Sequence, residues 1–126
     1  MNNAIPFSLA GLIAAAVMMI GVSYLVFPQR ILGQFGLKPP ALDADTLAWL
    51  RLKGIRDLTC GLLVLILMLT VEKRSVGIAL VVLAIIPFGD MSIILGSGGS
   101  KSKAFSVHGL TCAVLLVAGL LLIHAI

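Results

Sequence analysis

Residues 47–70 read LAWLRLKGIRDLTCGLLVLILMLT. Arg51, Lys53, Arg56 and Asp57 crowd into the first half of this stretch, and the second half carries no charge at all. From Leu52 to Val71 the chain is long enough to cross a bilayer as a helix, since about 20 mostly apolar residues cover about 30 Å of hydrocarbon. The stretch is therefore a membrane helix with ionisable side chains inside its own mouth. Working outward, residues 8–27, 76–95 and 105–126 meet the same requirement. The expected fold is all-α: a four-transmembrane-helix antiparallel bundle, integral to the membrane, with helices at about 8–27, 47–71, 76–95 and 105–126. One such domain accounts for residues 1–126 and leaves no length for a separate soluble domain.

Composition agrees. The 126 residues are 60% hydrophobic and 11% charged, against about 45–50% and about 25% in soluble domains. The net charge of +4 does not describe a nucleic-acid surface, because the basic residues flank apolar segments instead of lining one polar face with aromatics between them. They act as topology signals. Arg30 and Lys38 in the first loop and Lys101 and Lys103 in the third outnumber Lys73 and Arg74 in the second, so the positive-inside rule places loops one and three in the cytosol and both termini outside. A bacterial inner membrane and a eukaryotic endomembrane both satisfy this pattern. The start, MNNAIPFS, has no positive charge and leads into an apolar run too long for a signal-peptide core, so the first helix is expected to be retained. Cys60 and Cys112 lie inside apolar runs without C-x-x-C spacing, which reads as structural thiols and not a redox pair.

The first helix has no ionisable group in its span, and Gly11, Ala14–Ala16 and Gly21 give it a small-residue face suited to close packing in lipid. Tyr24 and Phe27 fit an interfacial aromatic belt. In the loop that follows, QRILGQFGL has the spacing of a short helical piece resting on the surface, with a lid over the bundle mouth as the alternative. Asp43 or Asp45 can cap the second helix. The third helix must run on through Pro87, bent, because residues 76–86 alone span only roughly 16 Å. GSGGSKSK before the fourth helix has the composition of a flexible linker.

An antiparallel order brings the remaining ionisable residues to one depth. Lys53, Arg56 and Asp57 open the second helix, Asp90 nears the end of the third, and His108 starts the fourth. Charges inside a span cost about 2.5–3.5 kcal/mol on insertion scales and mark sites by default. At 100° per residue Trp49, Lys53, Arg56, Asp57, Cys60 and Val64 share a stripe, with Arg51 turned away toward head groups. Lys53 and Asp57 can pair along the helix, leaving Arg56 to reach Asp90. The expected acid–base residues are Asp90, His108 and Asp57; the expected ligand-binding residues are Arg56, Lys53 and Trp49. No metal and no cofactor is implied, since one histidine and two carboxylates beside two cations make a poor cage. His124 lies far along the helix at the other surface.

The motifs KG-x-RD (Lys53, Gly54, Arg56, Asp57), P-x-GD (Pro87, Gly89, Asp90) and HG (His108, Gly109) resemble an uncharacterised family of small four-helix membrane proteins of bacteria and fungi, itself loosely similar to the DoxX-like membrane proteins. The resemblance implies the four-helix fold and no reaction.

Two functional readings follow. In one, a polar pocket near the cytosolic face binds a small lipophilic molecule and supports non-redox acid–base chemistry of isomerase, cyclase or hydrolase type, as in a biosynthetic pathway. In the other, a non-enzymatic membrane subunit, a transport or assembly accessory, uses its charges to clip helices together. The partners expected are the lipid bilayer and that ligand, with a second copy or a membrane partner allowed and nucleic acid excluded.

Overall fold

The computed structural model describes residues 4–124; the uncharged start Met1–Asn3 and the last two residues assigned to the fourth helix lie outside them. Among the described residues there are helices and turns and no strand. Helix α1 (Ala4–Val26) ends just before Pro28, which takes the first turn of a short helix, α2 (Pro28–Ile31), followed by a 3₁₀ turn, Leu32–Gln34. Proline suits that position because its missing N–H would have no intrahelical partner there. Helix α3 (Ala44–Thr70) starts where Asp43 Oδ1 accepts a 2.7 Å hydrogen bond from Thr46 N, so of the two candidate caps Asp43 serves.

The third predicted helix runs through its proline as expected, but broken into α4 (Lys73–Leu83) and α5 (Ile85–Gly96) at Ala84. Pro87 has no N–H to give the carbonyl four residues back, which is why the irregularity falls in the preceding turn. The glycine-rich stretch after α5 is a tight turn and not a linker. Gly98 takes φ +70°, Gly98 N donates to Leu95 O (3.2 Å) and Gly99 N to Ile94 O (2.8 Å), the pattern by which a left-handed glycine closes a helix end. Helix α6 (Lys101–Lys103) follows at once, capped by Ser100, and continues through a π-helical turn, Ala104–Gly109, into α7 (Leu110–His124).

Backbone contact at glycine sets the packing. Gly21 lies on Gly54 and Leu58, Gly61 on Ala14 and Met18, and Gly11 near Met68, so α1 and α3 run antiparallel. Gly77 lies on Gly119 and Ile123, and Met91 on Gly109, which sets α4–α5 antiparallel to α7. The two pairs meet through α1 with α7 and α3 with α4. The core between them holds Ala10, Ala14, Val64, Val76, Leu80, Leu115, Ala118 and Leu122. Large apolar side chains point outward elsewhere: Leu12 is 67% exposed, Met19 71% and Leu69 87%.

Among the described residues three helices are long and apolar enough to cross a membrane: Ala4–Val26, Lys73–Gly96 and Lys101–His124. α3, expected as a fourth, is longer still at 27 residues, but the charges of Lys53, Arg56 and Asp57 within its span keep it out of that set.

A methyl group on Gly54 would sit 2.7 Å from Gly21 O and 2.9 Å from Tyr24 Cβ. Gly54→Ala should lower stability by about 1–3 kcal/mol through overpacking, outweighing the roughly 0.5–1 kcal/mol that alanine returns in a helix. Gly89→Ala meets open space and should raise stability; thermal unfolding of both variants in detergent checks the pair. The Thr46 amide holds the Asp43 carboxyl below its usual range. The cap therefore contributes above an ordinary carboxylate pKa of about 3.9 and is lost as pH falls below it. The protection of the Thr46 amide, its exchange measured against the intrinsic rate at the same pH, should fall on acidification in the native chain, and Asp43→Asn should remove that dependence.

Candidate functional site

From the end where α1 and α5 finish and α3 and the π-helical turn begin, a half-open cavity of about 350 Å³ reaches inward along α1, α3, α4–α5 and α7. Its walls are mostly aliphatic, among them Ile13, Val17, Val64, Leu80 and Leu115, and its polar residues are Tyr24, Lys53, Asp57, Asp90, His108, Gln34 and Thr111. That size lies at the lower end of the roughly 300–1,000 Å³ of small-molecule sites.

Two polar pairs face this space. On α3, Lys53 Nζ lies 2.7 Å from Asp57 Oδ2, the expected i to i+4 pair. Between α5 and the π-helical turn, His108 Nδ1 lies 3.5 Å from Asp90 Oδ2. The other ring nitrogen of His108, Nε2, lies 3.1 Å from Phe35 O. A carbonyl only accepts, so Nε2 carries a hydrogen. Nδ1 then either donates to the Asp90 carboxylate or accepts from its protonated form, and both arrangements place one shared proton between the two residues. Each pair is electrically neutral as a unit.

Phe35 links the pairs. Its ring meets His108 edge-on at 4.7 Å between centroids, and Lys53 Nζ stands 5.1 Å over it and 5.2 Å over the Tyr24 ring, within the range of cation–π attraction. The first loop was expected mainly to rest on the surface. It instead lays Ile31, Gln34 and Phe35 on the cavity and is fastened there from the far end of the chain. Lys103 Nζ donates to Gly33 O, Ser100 N donates to Gly36 O at 2.8 Å, and His108 holds Phe35 O. Gly36 itself takes φ +111° and is buried against Ile94 and Lys103, a conformation and a space that suit only glycine.

Of the expected acid–base residues, Asp57, Asp90 and His108 all line the cavity, and so does Lys53 among the expected ligand-binding residues. Arg56 and Trp49 do not. Arg56 is exposed and makes no ion pair among the described residues, so the expected reach to Asp90 is replaced by the Asp90–His108 contact. Trp49 is 68% exposed. The reason is helix rotation: α3 packs through Gly54, Gly61 and Val64, which centres its inner face beyond Asp57, and Arg56 and Trp49 fall roughly 100–120° from that centre. Cys112 is a core thiol as expected, whereas Cys60 is half-buried and lines the cavity.

Tyr24 escaped the sequence reasoning. Expected in an interfacial belt, it is 2% exposed, lies in the cavity wall, and its hydroxyl makes no hydrogen bond among the described residues. A signal existed: Ala10, Ala14, Val17, Gly21 and Tyr24 recur at alternating steps of four and three, the spacing of one helix face. Among the described residues no three His, Cys, Asp or Glu side chains converge as a metal site.

Fold and site together define a small all-helical protein in which three helices are apolar enough to cross a membrane and a polar cluster sits inside one end. Residues 14–122 match the family model described as a domain of unknown function (DUF4267), and the chain belongs to that family. No curated protein and no solved structure matches it, and no link to the DoxX-like proteins emerges.

His108→Ala would leave the half-buried Asp90 carboxyl and Phe35 O without their partner, at about 1 kcal/mol for each, the low end of the cost of an unpaired buried group. Hydrogen exchange should rise across residues 33–38 while α4 and the lower half of α7 stay protected. Lys103→Met, which removes only the Gly33 contact, should produce a smaller rise confined to the start of that segment.

Proposed function

We propose that this chain is an integral membrane protein, a single four-helix unit, that holds a small lipophilic molecule in the cavity with its polar end among Tyr24, Lys53, Asp57, Asp90 and His108. The observation that carries this reading is the Lys53–Asp57 pair. Its ion bridge lies within one helix and fastens no helix to another, and although Lys53 also stands over the Tyr24 and Phe35 rings, the pair faces the cavity with side chains only 31% and 17% exposed. Charges at that depth need a use. A clip between segments accounts for Asp90 and His108, and through its ring contacts for Lys53, but leaves Asp57, whose ion pair lies within its own helix, unexplained. The aliphatic walls suit a lipophilic body, and the outward apolar surface of α1, α4–α5 and α7 suits lipid. Arg51, Arg56 and Trp49, all exposed near the start of α3, suit the head-group region, and the lysine and arginine count supports a cytosolic position for that end.

The Asp90–His108 pair favours catalysis in addition to binding. A shared proton facing the cavity is an acid and a base in one unit, which suits isomerisation, cyclisation or hydrolysis without electron transfer.

The test is the organic extract of the purified protein. A lipophilic compound should be enriched in the native chain and depleted about tenfold, the effect of 1.4 kcal/mol, in Val17→Phe, which fills the cavity and leaves every polar pair intact. Asp90→Asn should retain the unconverted molecule, distinguished by altered mass for a hydrolysis and by altered chromatographic retention at equal mass for an isomerisation or cyclisation. Identical extracts from all three proteins would sink the binding reading, and an unchanged compound in Asp90→Asn would sink catalysis.

A further inference from the structure

Two polar side chains of the cavity have no hydrogen-bond partner among the described residues, and of these Gln34 is exposed whereas Tyr24 is buried. Lys53 is held by Asp57 at 2.7 Å, Asp90 by His108 at 3.5 Å, and the second nitrogen of His108 by Phe35 O at 3.1 Å. Thr111 Oγ1 donates to Val107 O within its own helix. The Tyr24 hydroxyl, 2% exposed as a residue and in the cavity wall, makes no such bond among the described residues. Buried hydroxyls are normally bonded, so this one is a donor in need of an acceptor.

The charges around it decide what that acceptor can be. Both pairs are neutral as units, and Arg51 and Arg56, the further cations close by in sequence, are exposed and outside the cavity. A carboxylate or phosphate entering here would meet the carboxyl groups of Asp57 and Asp90 and could gain a cation only by drawing Lys53 from Asp57 or a protonated His108 from Asp90. An amine could gain an anion only by drawing Asp57 from Lys53 or Asp90 from His108. Either exchange strands a charge in a mostly aliphatic cavity, which is the costly outcome. An uncharged oxygen takes the hydrogen bond and disturbs nothing.

We infer that the site selects an uncharged lipophilic molecule bearing a hydroxyl or carbonyl oxygen, and that Tyr24 donates the hydrogen bond that positions this oxygen beside the Asp90–His108 pair. The inference rests on the ligand-binding reading above and narrows its substrate class.

Decanol, decanoate and decylamine carrying the same diazirine in the chain, photocrosslinked to the full-length protein in phosphatidylcholine nanodiscs, separate the alternatives. Adducts are mapped by peptide mass spectrometry onto cavity positions such as Val17 and Val64 and onto outward positions such as Leu12 and Leu69. Decanol should label the cavity roughly tenfold more than either charged probe. Tyr24→Phe should cut that labelling roughly three- to tenfold and leave the melting temperature unchanged or higher, because it removes an unbonded hydroxyl; a merely structural tyrosine would lower it. Preferential cavity labelling by decanoate or decylamine, or decanol labelling that Tyr24→Phe does not change, would overturn the inference while leaving a binding site. Labelling by all three confined to the outward positions would overturn the binding site with it.

Discussion

Everything at the polar end depends on how closely α1 and α3 approach. Gly21 and Gly54 face each other so tightly that neither could carry a methyl group without striking backbone. In lipid, where apolar side chains gain little by leaving their surroundings, such backbone contact and the dispersion it allows are the main attraction between helices. The contact also fixes rotation. With Gly54 turned to α1, Lys53 and Asp57 fall on the cavity side and Arg56 on the outside. One residue of register in this pair would move every charged group of α3 by about 100°.

The structure manages its charges in two different ways, and the contrast explains the layout. Lys53 and Asp57 satisfy each other along a single helix and so remain available on the cavity wall. Asp90 and His108 satisfy each other across two segments, and His108 spends its second nitrogen on the loop that covers the cavity. The histidine is thus a joint between three parts of the chain: α5, the π-helical turn and the segment around Phe35. Fastening the cover from Lys103 and Ser100 as well places the first loop under the control of residues about seventy positions later in sequence.

The sequence shows the helical class, the proline-bent third helix, a carboxylate cap at Asp43 or Asp45, the Lys53–Asp57 pair and the gathering of Asp57, Asp90 and His108 at one depth. All of these follow from period, length and depth, quantities that a one-dimensional pattern contains. Rotation about each helix axis is a different matter. A stripe drawn through Trp49, Lys53, Arg56 and Asp57 is centred on the charges, whereas α3 is centred on its glycines, and the two centres differ by enough to expel Arg56 and Trp49. Tyr24 was hidden by the opposite habit, since an aromatic near a helix end invites an interfacial reading even where small residues four and three apart mark the buried face beneath it. The glycine-rich third turn shows composition misleading in another way: what reads as slack is a closed helix end, because Gly98 supplies the one left-handed residue that the closure requires.

The π-helical turn at Ala104–Gly109 has a further implication for how this chain tolerates change in length. A turn with i to i−5 bonding holds one residue more than the ordinary turn, so α7 contains a spare residue directly above its contact with α4. A single-residue deletion inside that turn could be absorbed by reverting to ordinary helix, leaving Gly119 on Gly77, but His108 would swing away from Asp90 and Phe35. A deletion lower in α7 would do the reverse, keeping the histidine in place and unseating the helix. The extra residue therefore uncouples the aim of the imidazole from the seating of the helix that bears it, so that each can vary in evolution without dragging the other along.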